Sequence, residues 1–454
     1  MTDTTTALDA IVKAYDIRGT YPDQISAEVC RGLGAGFADF ITGVEPDTTA
    51  VVLGRDMRPS GPELLGAFAE GVMSRGFDVI DIGLCSTDML YFASGSLGLP
   101  GAVFTASHNP AEYNGIKLCR SGAAPIGEDS GLADIKAVAA QPFQPGPTTG
   151  GRSEQDLLSA FADHVLTFVD TDGLRPLKVV ADTANGMGGL VVPEVFARLP
   201  FELEVMYPEL DGTFPNHEAN PLVVENLADL QQRVLETGAD IGLAFDGDAD
   251  RVFLVDEKAQ PVSGSLTTAL LAQATLAVDP GATVIHNLIC SKVVAEVVTE
   301  SGGTPLRSRV GHSFIKQQMA ETGAAFGGEH SAHYYFRDNW RADSGLIAAV
   351  IVLEQLSRSG GALSELLAPL KRYEASGEIN TRVDDTAAVI DHVAAHYSDA
   401  TSDRLDGLTV DFGDWWFNLR PSNTEPLLRL NLEAGSADDV AARVAEVQSV
   451  MAQA

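Results

Sequence analysis

The feature that most constrains the fold is a unit that recurs along the chain: a short apolar run, a loop containing Gly or Asp, and an amphipathic helix. One copy begins at residues 49–53, a second at 177–181 and a third at 283–288. This order of elements is typical of parallel sheets covered by helices. The copies share too little sequence to be called a repeat, so we predict three similar α/β domains in series.

The chain from residue 378 onward has a different pattern. Apolar runs at 379–383, 408–412, 415–419 and 427–432 predict strands, while a segment near 387–397 and the Ala/Val-rich end predict helices. This predicts a small α+β domain. Pro- and Gly-containing segments separate the parts, and the predicted domains are 1–148, 149–258, 259–371 and 372–454.

The charge and composition exclude several classes of protein. The chain has 454 residues, with 30 Lys plus Arg against 63 Asp plus Glu and a net charge of −33. Such a chain repels nucleic acid and anionic membranes, so we expect neither as a partner. Disorder is excluded because 45% of the residues are hydrophobic and apolar runs recur throughout.

The cysteines and the N-terminal segment bear on location. The four cysteines (Cys30, Cys85, Cys119 and Cys290) are far apart and form no CxxC pair, so neither a zinc knuckle nor a disulfide framework is predicted. Residues 1–10 lack the basic and apolar regions of a signal peptide, and no later segment has about 18 uninterrupted apolar residues. We expect a cytoplasmic protein.

The first loop with chemical potential is Thr-Ala-Ser-His-Asn-Pro at 105–110, directly after an apolar run. An Asn-Pro turn displays its neighbours, so Ser107 is a candidate nucleophile or phosphoryl carrier, with His108 and Lys117 supplying positive charge. A serine that caps a helix or closes a turn would show the same pattern. This loop alone does not decide between the two.

A second loop, Asp246-Gly247-Asp248-Ala249-Asp250-Arg251, lies between two apolar runs. Three carboxylates on alternate residues repel one another and suit a hard divalent cation such as Mg²⁺. A calcium EF-hand is excluded because Arg251 occupies the sixth position, where the turn needs Gly, and because the flanks are strand-like. A haloacid-type nucleophile motif fails because Asp250 stands where Thr or Val belongs. An acidic surface turn is the remaining alternative.

A third loop, Gly-Gly-Glu-His-Ser-Ala-His at 327–333, follows another apolar run. Glu, Ser and His offer the donors and acceptors that recognition of a polyhydroxyl ligand needs. A polar loop with one satisfied histidine is equally consistent with the residues.

A fourth loop, Arg420-Pro421-Ser422-Asn423-Thr424-Glu425-Pro426, connects two predicted strands of the last domain. An Arg fork, hydroxyls and an amide suit a dianionic phosphate, whereas a structural turn with an Arg–Glu pair is the alternative. One of the four loops falls on each predicted domain. Together they indicate phosphoryl transfer to or from a phosphosugar.

The four loops, in this order and at these separations, closely resemble those of the α-D-phosphohexomutase family, and within it the bacterial phosphomannomutase/phosphoglucomutase group. The likeness covers essentially the whole chain. It includes Ala-Tyr-Asp-Ile-Arg-Gly at 14–19, Gly-Arg-Asp at 54–56 with Arg-Pro-Ser-Gly at 58–61, and Asp-Gly-Thr-Phe-Pro-Asn-His at 211–217. It implies a heart-shaped enzyme of four domains whose active site lies in a central cleft.

The resemblance also implies roles for individual residues. Ser107 would carry the phosphoryl group, and Mg²⁺ would be held by Ser107, Asp246, Asp248 and Asp250. Lys117, Arg251 and His312 would be the other catalytic residues, with Lys117 and His312 as candidates to move the hydroxyl proton. Substrate contacts would come from Tyr15, Arg18, His108, Asn109, Glu329, Ser331, His333, Arg420, Ser422, Asn423 and Thr424.

The activity that the resemblance implies is reversible interconversion of hexose 1-phosphate and hexose 6-phosphate. The reaction would pass through a phosphoserine enzyme, with a hexose 1,6-bisphosphate as intermediate and activator. The expected partners are small phosphosugars, and the expected state is a monomer or homodimer. Because the substrate is a dianion and the chain is acidic, we expect a locally basic cleft, supplied by Arg18, Lys117, Arg251, Arg420, Arg429 and Lys292.

Two positions depart from the pattern of the group. His330 stands where the group has Met, which could alter sugar selectivity or its pH dependence. Ile289 stands where some members use a lysine for the substrate phosphate, and Lys292 is a candidate replacement.

Three alternatives stay open. A phosphoglucosamine mutase usually reads Gly-Glu-Gln-Ser-Gly-His in the third loop, against His330 and Ala332 here. A Ser-dependent phosphatase would admit water to the phosphoserine and usually adds a zinc cluster, which the sequence does not contain. A non-catalytic sugar-phosphate binding protein would keep the same fold without turnover.

Overall fold

The computed structural model describes residues 4–13, 15–147, 149–422 and 427–454, including the backbone but not the side chains of residues 4–7 and 312. The chain divides into two compact units. The first unit contains Met1–Ser263 and Ser331–Leu366, and the second contains Gly264–His330 and Leu367–Ala454. The four predicted domain ranges stay predictions.

The described helices run, in chain order, as α1 (Thr4–Ile11), α2 (Ala27–Val44), α3 (Gly61–Met73), α4 (Thr87–Leu97), α5 (Leu132–Ala139), α6 (Leu158–Leu166), α7 (Gly188–Phe196), α8 (Ala228–Thr237), α9 (Gly264–Val278), α10 (Lys292–Glu300), α11 (His312–Thr322), α12 (Gly345–Ser359), α13 (Leu363–Leu367), α14 (Thr386–His396) and α15 (Ala437–Met451).

The described strands are β1 (Ile17–Thr20), β2 (Ala50–Arg55), β3 (Asp78–Leu84), β4 (Gly101–Phe104), β5 (Tyr113–Arg120), β6 (Ala124–Pro125), β7 (Arg152–Glu154), β8 (Lys178–Asp182), β9 (Glu202–Met206), β10 (Ile241–Phe245), β11 (Val252–Asp256), β12 (Pro261–Val262), β13 (Thr283–Asn287), β14 (Thr304–Ser308), β15 (Phe326–Gly328), β16 (Tyr334–Phe336), β17 (Glu374–Arg382), β18 (Thr401–Asp403), β19 (Leu408–Asp411), β20 (Trp416–Pro421) and β21 (Leu427–Ala434).

The first unit contains two mixed sheets. The strand order of one sheet is β1-β5-β4-β2-β3-β7, in which β4, β2, β3 and β7 are parallel and β5 is antiparallel to β4. The order of the other is β12-β11-β10-β8-β9, in which β9, β8 and β10 are parallel and β11 is antiparallel to β10. The two sheets repeat one plan, a parallel core with an antiparallel edge.

Close helix packing fixes the core of the first sheet. A Cβ atom at Gly34 of α2 would lie 2.1 Å from the carbonyl oxygen of Phe68 in α3, so only glycine permits this approach of the two helices. The ring of Phe68 meets that of Phe104 edge to face, with centroids 5.5 Å apart. This packing anchors the end of β4, from which the 105–110 loop departs.

The second unit contains residues 264–330 of the predicted third α/β layer and the C-terminal α+β domain, whereas residues 331–366 belong to the first unit. Strand β13 pairs in parallel with β14 and β15, and α10 and α11 follow β13 and β14 in the chain. The C-terminal sheet has the order β17-β21-β20-β19-β18 and its pairings are antiparallel. The predicted fold class, three α/β layers in series and an α+β end, is confirmed.

Strand β18 is an element that the sequence pattern did not predict. Its three residues, Thr-Ser-Asp, are polar and pair with β19 at the sheet edge, where no apolar face needs to be buried.

No single helix in the described part of the chain is both long and apolar enough to cross a membrane, although one bent helix pair passes by length and composition alone.

Candidate active site

Ser107 occupies the turn that follows β4. Its φ of 50° lies in the left-handed region, which residues with a side chain adopt at a cost. Its N–H donates to Thr105 Oγ1 at 2.9 Å. Its Oγ donates to Asp246 Oδ2 at 2.8 Å, although the two residues are 139 positions apart in the chain. The serine and the triple-carboxylate loop predicted from the sequence are therefore in direct contact.

The triple-carboxylate loop is the tight connection between β10 and β11. Asp246, Asp248 and Asp250 are each 0% exposed, and one oxygen from each lies within 4.8 Å of the others. Among the described residues, Asp248 Oδ1 and Asp250 Oδ1 are buried without a hydrogen-bond partner. Unpaired buried carboxylate oxygens are costly, so this loop has both the ligands and the need for a cation. The alternative of an acidic surface turn is wrong, because none of the three side chains is exposed.

A partly buried cation, Lys117, and a buried one, Arg251, face the three carboxylates. Lys117 Nζ donates to Asp248 Oδ2 at 2.7 Å and to Asp250 Oδ2 at 2.6 Å. Arg251 Nη2 lies 2.8 Å from Asp246 Oδ2. With all three carboxyl groups ionised, these five groups carry one excess negative charge, and a bound divalent cation would make the cluster net positive. A net positive cluster suits a dianionic phosphoryl group.

Burial and ion pairing move the pKa values of two loop carboxylates in opposite directions. Burial raises the pKa of Asp246 to about 7 against the opposing attraction of Arg251. Burial also opposes ionisation of Asp248, but its ion pair with Lys117 outweighs burial and holds its pKa below the ordinary value. Asp248 is therefore ionised without a metal, and a bound cation would favour ionisation of Asp246.

His108 is held in its neutral form. Burial first, and then the charge of Arg251, lower the pKa of His108 to about 2. Arg251 Nη2 donates to His108 Nδ1 at 2.6 Å. His108 Nδ1 also lies 3.3 Å from Ser107 Oγ. The expectation that His108 supplies positive charge is therefore wrong. Its imidazole is instead an acceptor that orients the Arg251 guanidinium beside Ser107.

Arg18 and Asn109 form a hydrogen bond at the turn that carries Ser107. Arg18 Nη1 donates to Asn109 Oδ1 at 2.5 Å, and its Nη2 pairs with Asp16 Oδ2 at 2.5 Å. Tyr15 is partly exposed and immediately precedes this pair in the chain. Arg18 therefore links β1 to the serine turn.

The third loop brings two of its residues to the metal loop within the first unit. His333 forms an isolated backbone bridge with Arg251, and its Nε2 lies 3.8 Å from Asp250 Oδ1. Ser331 Oγ lies 3.3 Å from His333 Nδ1. His333 thus lies beside Asp250, and Ser331 contacts His333.

Glu329 and His330 of the same loop belong to the second unit. Glu329 is 2% exposed, and its Oε1 accepts from Asn287 Nδ2 and from the N–H of Gly311, each at 3.2 Å. His330 Nδ1 lies 3.3 Å from Ser265 Oγ, and burial lowers the pKa of His330. Glu329 is rigidly held, and His330 is a neutral side chain at the position where the resemblance expects Met.

Arg420 lies near the end of β20 beside a second arginine. Arg420 Nη2 donates to Glu378 Oε2 at 3.0 Å, and Arg429 Nη1 lies 3.5 Å from Glu378 Oε1. Burial lowers the pKa of Arg420 against the attraction of Glu378. Within the described residues, Nε of each arginine is buried without a hydrogen-bond partner, so both retain a donor for an anion.

Other predicted site residues of the second unit are described only in part. Ser422 follows β20, and its Oγ lies 3.5 Å from Arg429 Nη2. Asn423 and Thr424 lie outside the described residues, as does the side chain of His312, whose backbone begins α11.

The cations that were expected to form a basic surface are paired with carboxylates. Lys292 Nζ donates to Asp411 Oδ1 at 2.6 Å and to the carbonyl oxygen of Gly413 at 2.8 Å. Arg18, Lys117, Arg251, Arg420 and Arg429 also have acidic partners. Arg420 and Arg429 share one carboxylate, that of Glu378, and therefore keep one excess positive charge. The metal loop becomes net positive only with a bound cation.

Models of the phosphoglucomutase/phosphomannomutase family match the chain in four consecutive parts. The alpha/beta/alpha domains I, II and III match residues 9–143, 159–260 and 263–373, and the C-terminal domain matches residues 378–449. A protein of Xanthomonas campestris pv. campestris (strain B100) named for phosphohexose mutases is 43% identical over 445 residues, which cover 97% of this chain and 98% of that protein. This chain belongs to the phosphoglucomutase/phosphomannomutase family.

Further comparisons agree with this assignment. The phosphomannomutase of Salmonella montevideo is 42% identical over 452 residues, covering 97% of this chain and 98% of that protein. A solved structure of a phosphoglucomutase/phosphomannomutase family protein from Burkholderia thailandensis superposes with a TM-score of 0.90 at 33% identity, covering 99% of this chain and 98% of that one. The protein is an enzyme of the phosphohexomutase class, an isomerase.

In this phosphohexomutase, Thr87 is a contact of the metal loop that the sequence did not reveal. Thr87 Oγ1 donates to Asp248 Oδ2 at 2.6 Å, and its N–H donates to the carbonyl oxygen of Asp248 at 3.0 Å. Both bonds come from the first residue of α4. The signal available in the sequence was Cys-Ser-Thr-Asp at 85–88, a helix-start pattern at the carboxyl end of a strand.

Asp88, the next residue of the phosphohexomutase, is a buried carboxyl group with hydroxyl partners. It is 0% exposed and accepts from Ser344 Oγ at 2.6 Å and from Ser86 Oγ. Burial raises the pKa of Asp88 to about 7, and the two hydroxyl bonds offset this only in part. Asp88 therefore binds a proton in the folded enzyme at a pH where an exposed carboxyl does not.

Asp88→Asn should change the pH dependence of stability. Because the folded pKa of about 7 exceeds the ordinary value of 3.8, raising the pH through this window removes the proton from the unfolded state but not from the folded state, so the free energy of unfolding falls. The loss is on the order of a few kcal/mol, at about 1.4 kcal/mol per pKa unit. Stability relative to wild type should therefore rise for Asp88→Asn between about pH 4 and pH 7.

Urea unfolding at several pH values measures this difference. Asp163→Asn is the control, since Asp163 is 72% exposed and its replacement should leave the pH profile unchanged. Parallel profiles for wild type and Asp88→Asn would contradict the assignment.

Proposed function

We propose that this phosphohexomutase is a phosphomannomutase/phosphoglucomutase, which interconverts hexose 1-phosphate and hexose 6-phosphate through phosphoserine 107 and a hexose 1,6-bisphosphate. The observation that carries the proposal is the 2.8 Å hydrogen bond from Ser107 Oγ to Asp246 in a buried triple-carboxylate loop. The Salmonella montevideo relative, named phosphomannomutase at 42% identity, supports mannose phosphate as a substrate.

Mg²⁺ is the proposed cofactor, because the residues fit it. Ser107, Asp246, Asp248 and Asp250 offer the oxygen ligands that Mg²⁺ prefers, and two of these carboxylate oxygens are buried without another partner in the described residues. When bound, Mg²⁺ would withdraw charge from the transferring phosphoryl group and from Ser107 Oγ.

The chain's own residues would act in defined ways during transfer. The P–O bond to Ser107 breaks as a P–O bond to a sugar hydroxyl forms, and the hydroxyl proton leaves to a base. Arg251 would stabilise the charge of the phosphoryl group beside Ser107. Ion pairs with Asp248 and Asp250 outweigh burial and raise the pKa of Lys117 well above its usual value, and a cation bound to the same carboxylates would weaken this effect. Lys117 and His312 are the two candidates to move the hydroxyl proton.

The second unit would supply sugar and phosphate recognition. Glu329, held by two N–H donors, would accept hydrogen bonds from sugar hydroxyls, together with Ser331 and His333 of the first unit. The phosphate that does not react would be bound by Arg420, Ser422, Asn423 and Thr424. Substrate contacts near the reacting group would come from Tyr15, Arg18, His108 and Asn109. The intermediate would reorient between two transfers, so that no net hydrolysis occurs.

Location and assembly complete the proposal. The enzyme would be cytoplasmic and a monomer or homodimer. Its four cysteines are free and buried, which is consistent with a reducing compartment.

The experiment that tests the function uses purified enzyme with Mg²⁺ and a trace of glucose 1,6-bisphosphate. Phosphorus NMR would follow mannose 1-phosphate and glucose 1-phosphate separately. We expect both to convert to their 6-phosphates. Conversion of glucosamine 1-phosphate alone would favour a phosphoglucosamine mutase, release of inorganic phosphate would favour a phosphatase, and no change would favour a binding protein.

A further inference from the structure

We propose that Arg58 is the positioning residue of the phosphoserine turn: its guanidinium fixes the backbone of residues 107–113 and thereby aims Ser107 at the metal loop. The inference rests on the proposed function, since it takes Ser107 as the phosphoryl carrier. It adds a residue that touches neither substrate nor metal.

The hydrogen bonds of Arg58 converge on one turn. Nη1 donates to the carbonyl oxygens of Pro110 and Tyr113 at 2.7 and 2.8 Å, and Nη2 donates to those of Ser107 and Asn109 at 3.0 and 2.6 Å. Four carbonyl groups of a loop are thus held by one side chain. A planar guanidinium fork can satisfy two pairs of acceptors, whereas an ammonium group presents its donors from a single point.

Arg58 is itself rigidly held. Its side chain is 0% exposed, and its Nε lies 3.2 Å from Asp56 Oδ2. Asp56 Oδ1 accepts from the N–H of Arg58 at 3.0 Å. A buried charge with a paired carboxylate and four carbonyl acceptors cannot move without leaving several groups unsatisfied. The guanidinium is therefore a fixed reference point for the turn.

The contact with Ser107 is the one that bears on catalysis. Ser107 has the strained left-handed φ of the turn, 50°, and Arg58 holds its carbonyl group. The same carbonyl group lies against the metal loop, because a Cβ atom on Gly247 would lie 2.3 Å from Ser107 O. The peptide after Ser107 is thus confined by both Arg58 and Gly247, which sets the separation of Ser107 Oγ and Asp246.

A second loop packs on Arg58 from outside. The Phe214 ring lies under the guanidinium, with its centroid 5.2 Å from Cζ. A Cβ atom on Gly212 would lie 2.6 Å from Arg58 Cα, so this loop is seated closely on the arginine. The motif at residues 211–217 therefore closes the site that holds Arg58.

The test compares Arg58→Lys with Arg55→Lys. Arg55 lies three positions away in the same motif, is partly buried, and donates to the Asp56 carbonyl oxygen at 3.3 Å, with no recorded bond to the turn among described residues. We expect Arg58→Lys to lower kcat about 100-fold, the effect of a misplacement of about 1 Å, with KM within about threefold. Hydrogen exchange of the segment 105–116 should accelerate at least about tenfold. Arg55→Lys should resemble wild type in kcat, in KM and in the hydrogen exchange of 105–116.

A purely structural role predicts a different outcome. It would lower the melting temperature and the folded fraction of Arg58→Lys but leave kcat per folded enzyme unchanged. Folded Arg58→Lys with kcat within about threefold of wild type, or with unchanged exchange of 105–116, would overturn the proposal.

Two further arms keep the test decisive. If Arg58→Lys does not fold, the half-buried Phe214 is replaced by Leu, a change that leaves every donor of Arg58 in place. A roughly three- to tenfold lower kcat with faster hydrogen exchange of 105–116 supports the proposal. Wild-type values of kcat and exchange overturn it. If wild-type enzyme isomerises no hexose phosphate, the proposed function fails, while hydrogen exchange of 105–116 still decides whether Arg58 positions the turn.

Discussion

Ser107→Ala should lower isomerisation of mannose 1-phosphate and glucose 1-phosphate by about 10⁴-fold or more, since removal of a covalent carrier leaves only binding and electrostatic contributions. The change deletes one oxygen atom whose hydrogen bond goes to Asp246, so the fold should persist. Coupled assays of 6-phosphate formation measure the rate, and isotopic labelling of the protein measures phosphoserine.

Ser153→Ala is the matched control for this prediction. Ser153 is an exposed residue of β7 in the same unit, and its replacement should leave both rate and labelling unchanged. A Ser107→Ala enzyme that retains substantial isomerase activity would show that another group carries the phosphoryl group.

Asp248→Asn should reduce both metal affinity and turnover, the latter by about 10²- to 10³-fold, the range for loss of a preorganised electrostatic group. Asp248 is buried, its Oδ2 accepts from Lys117 Nζ and Thr87 Oγ1, and its Oδ1 has no partner in the described residues. The neutral amide would weaken the ion pair with Lys117 and remove a charged ligand of the cation.

Two measurements separate these effects. Isothermal titration with Mg²⁺ gives the affinity, and thermal unfolding with and without Mg²⁺ shows whether binding still stabilises the fold. The exposed Asp163→Asn variant should match wild type in both. Unchanged Mg²⁺ affinity in Asp248→Asn would remove this loop from the metal site.

The fold followed from local patterns. Short apolar runs that alternate with amphipathic helices predicted the three α/β layers, because a helix-covered parallel sheet needs such strands. The loops with chemistry were found for a related reason: residues 105–110 and 246–251 each directly follow a buried strand, where the chain leaves the sheet. Strand β18 was not predicted, because a polar edge strand has no alternating or continuous apolar pattern.

The contacts that complete the candidate site are long-range and left no local pattern. Thr87 and Asp248 are 161 positions apart, and Arg58 is 49 positions from the serine whose carbonyl group it holds. The neutral state of His108 depends on burial and on Arg251, 143 positions away. Residue type and spacing therefore predicted the candidate ligands and the candidate carrier, but not the side chains that orient them or their charge states.

The measurement that tests the central claim most directly is a two-step labelling experiment. Unphosphorylated enzyme with Mg²⁺ is mixed with glucose 1,6-bisphosphate labelled in its phosphoryl groups and quenched, and the labelled peptide is identified by mass spectrometry. A second sample is chased with unlabelled mannose 1-phosphate before quenching. We expect the label on Ser107 and its return to sugar phosphate at the rate of turnover. Label on a different residue, or its release as inorganic phosphate, would contradict the phosphoserine mechanism.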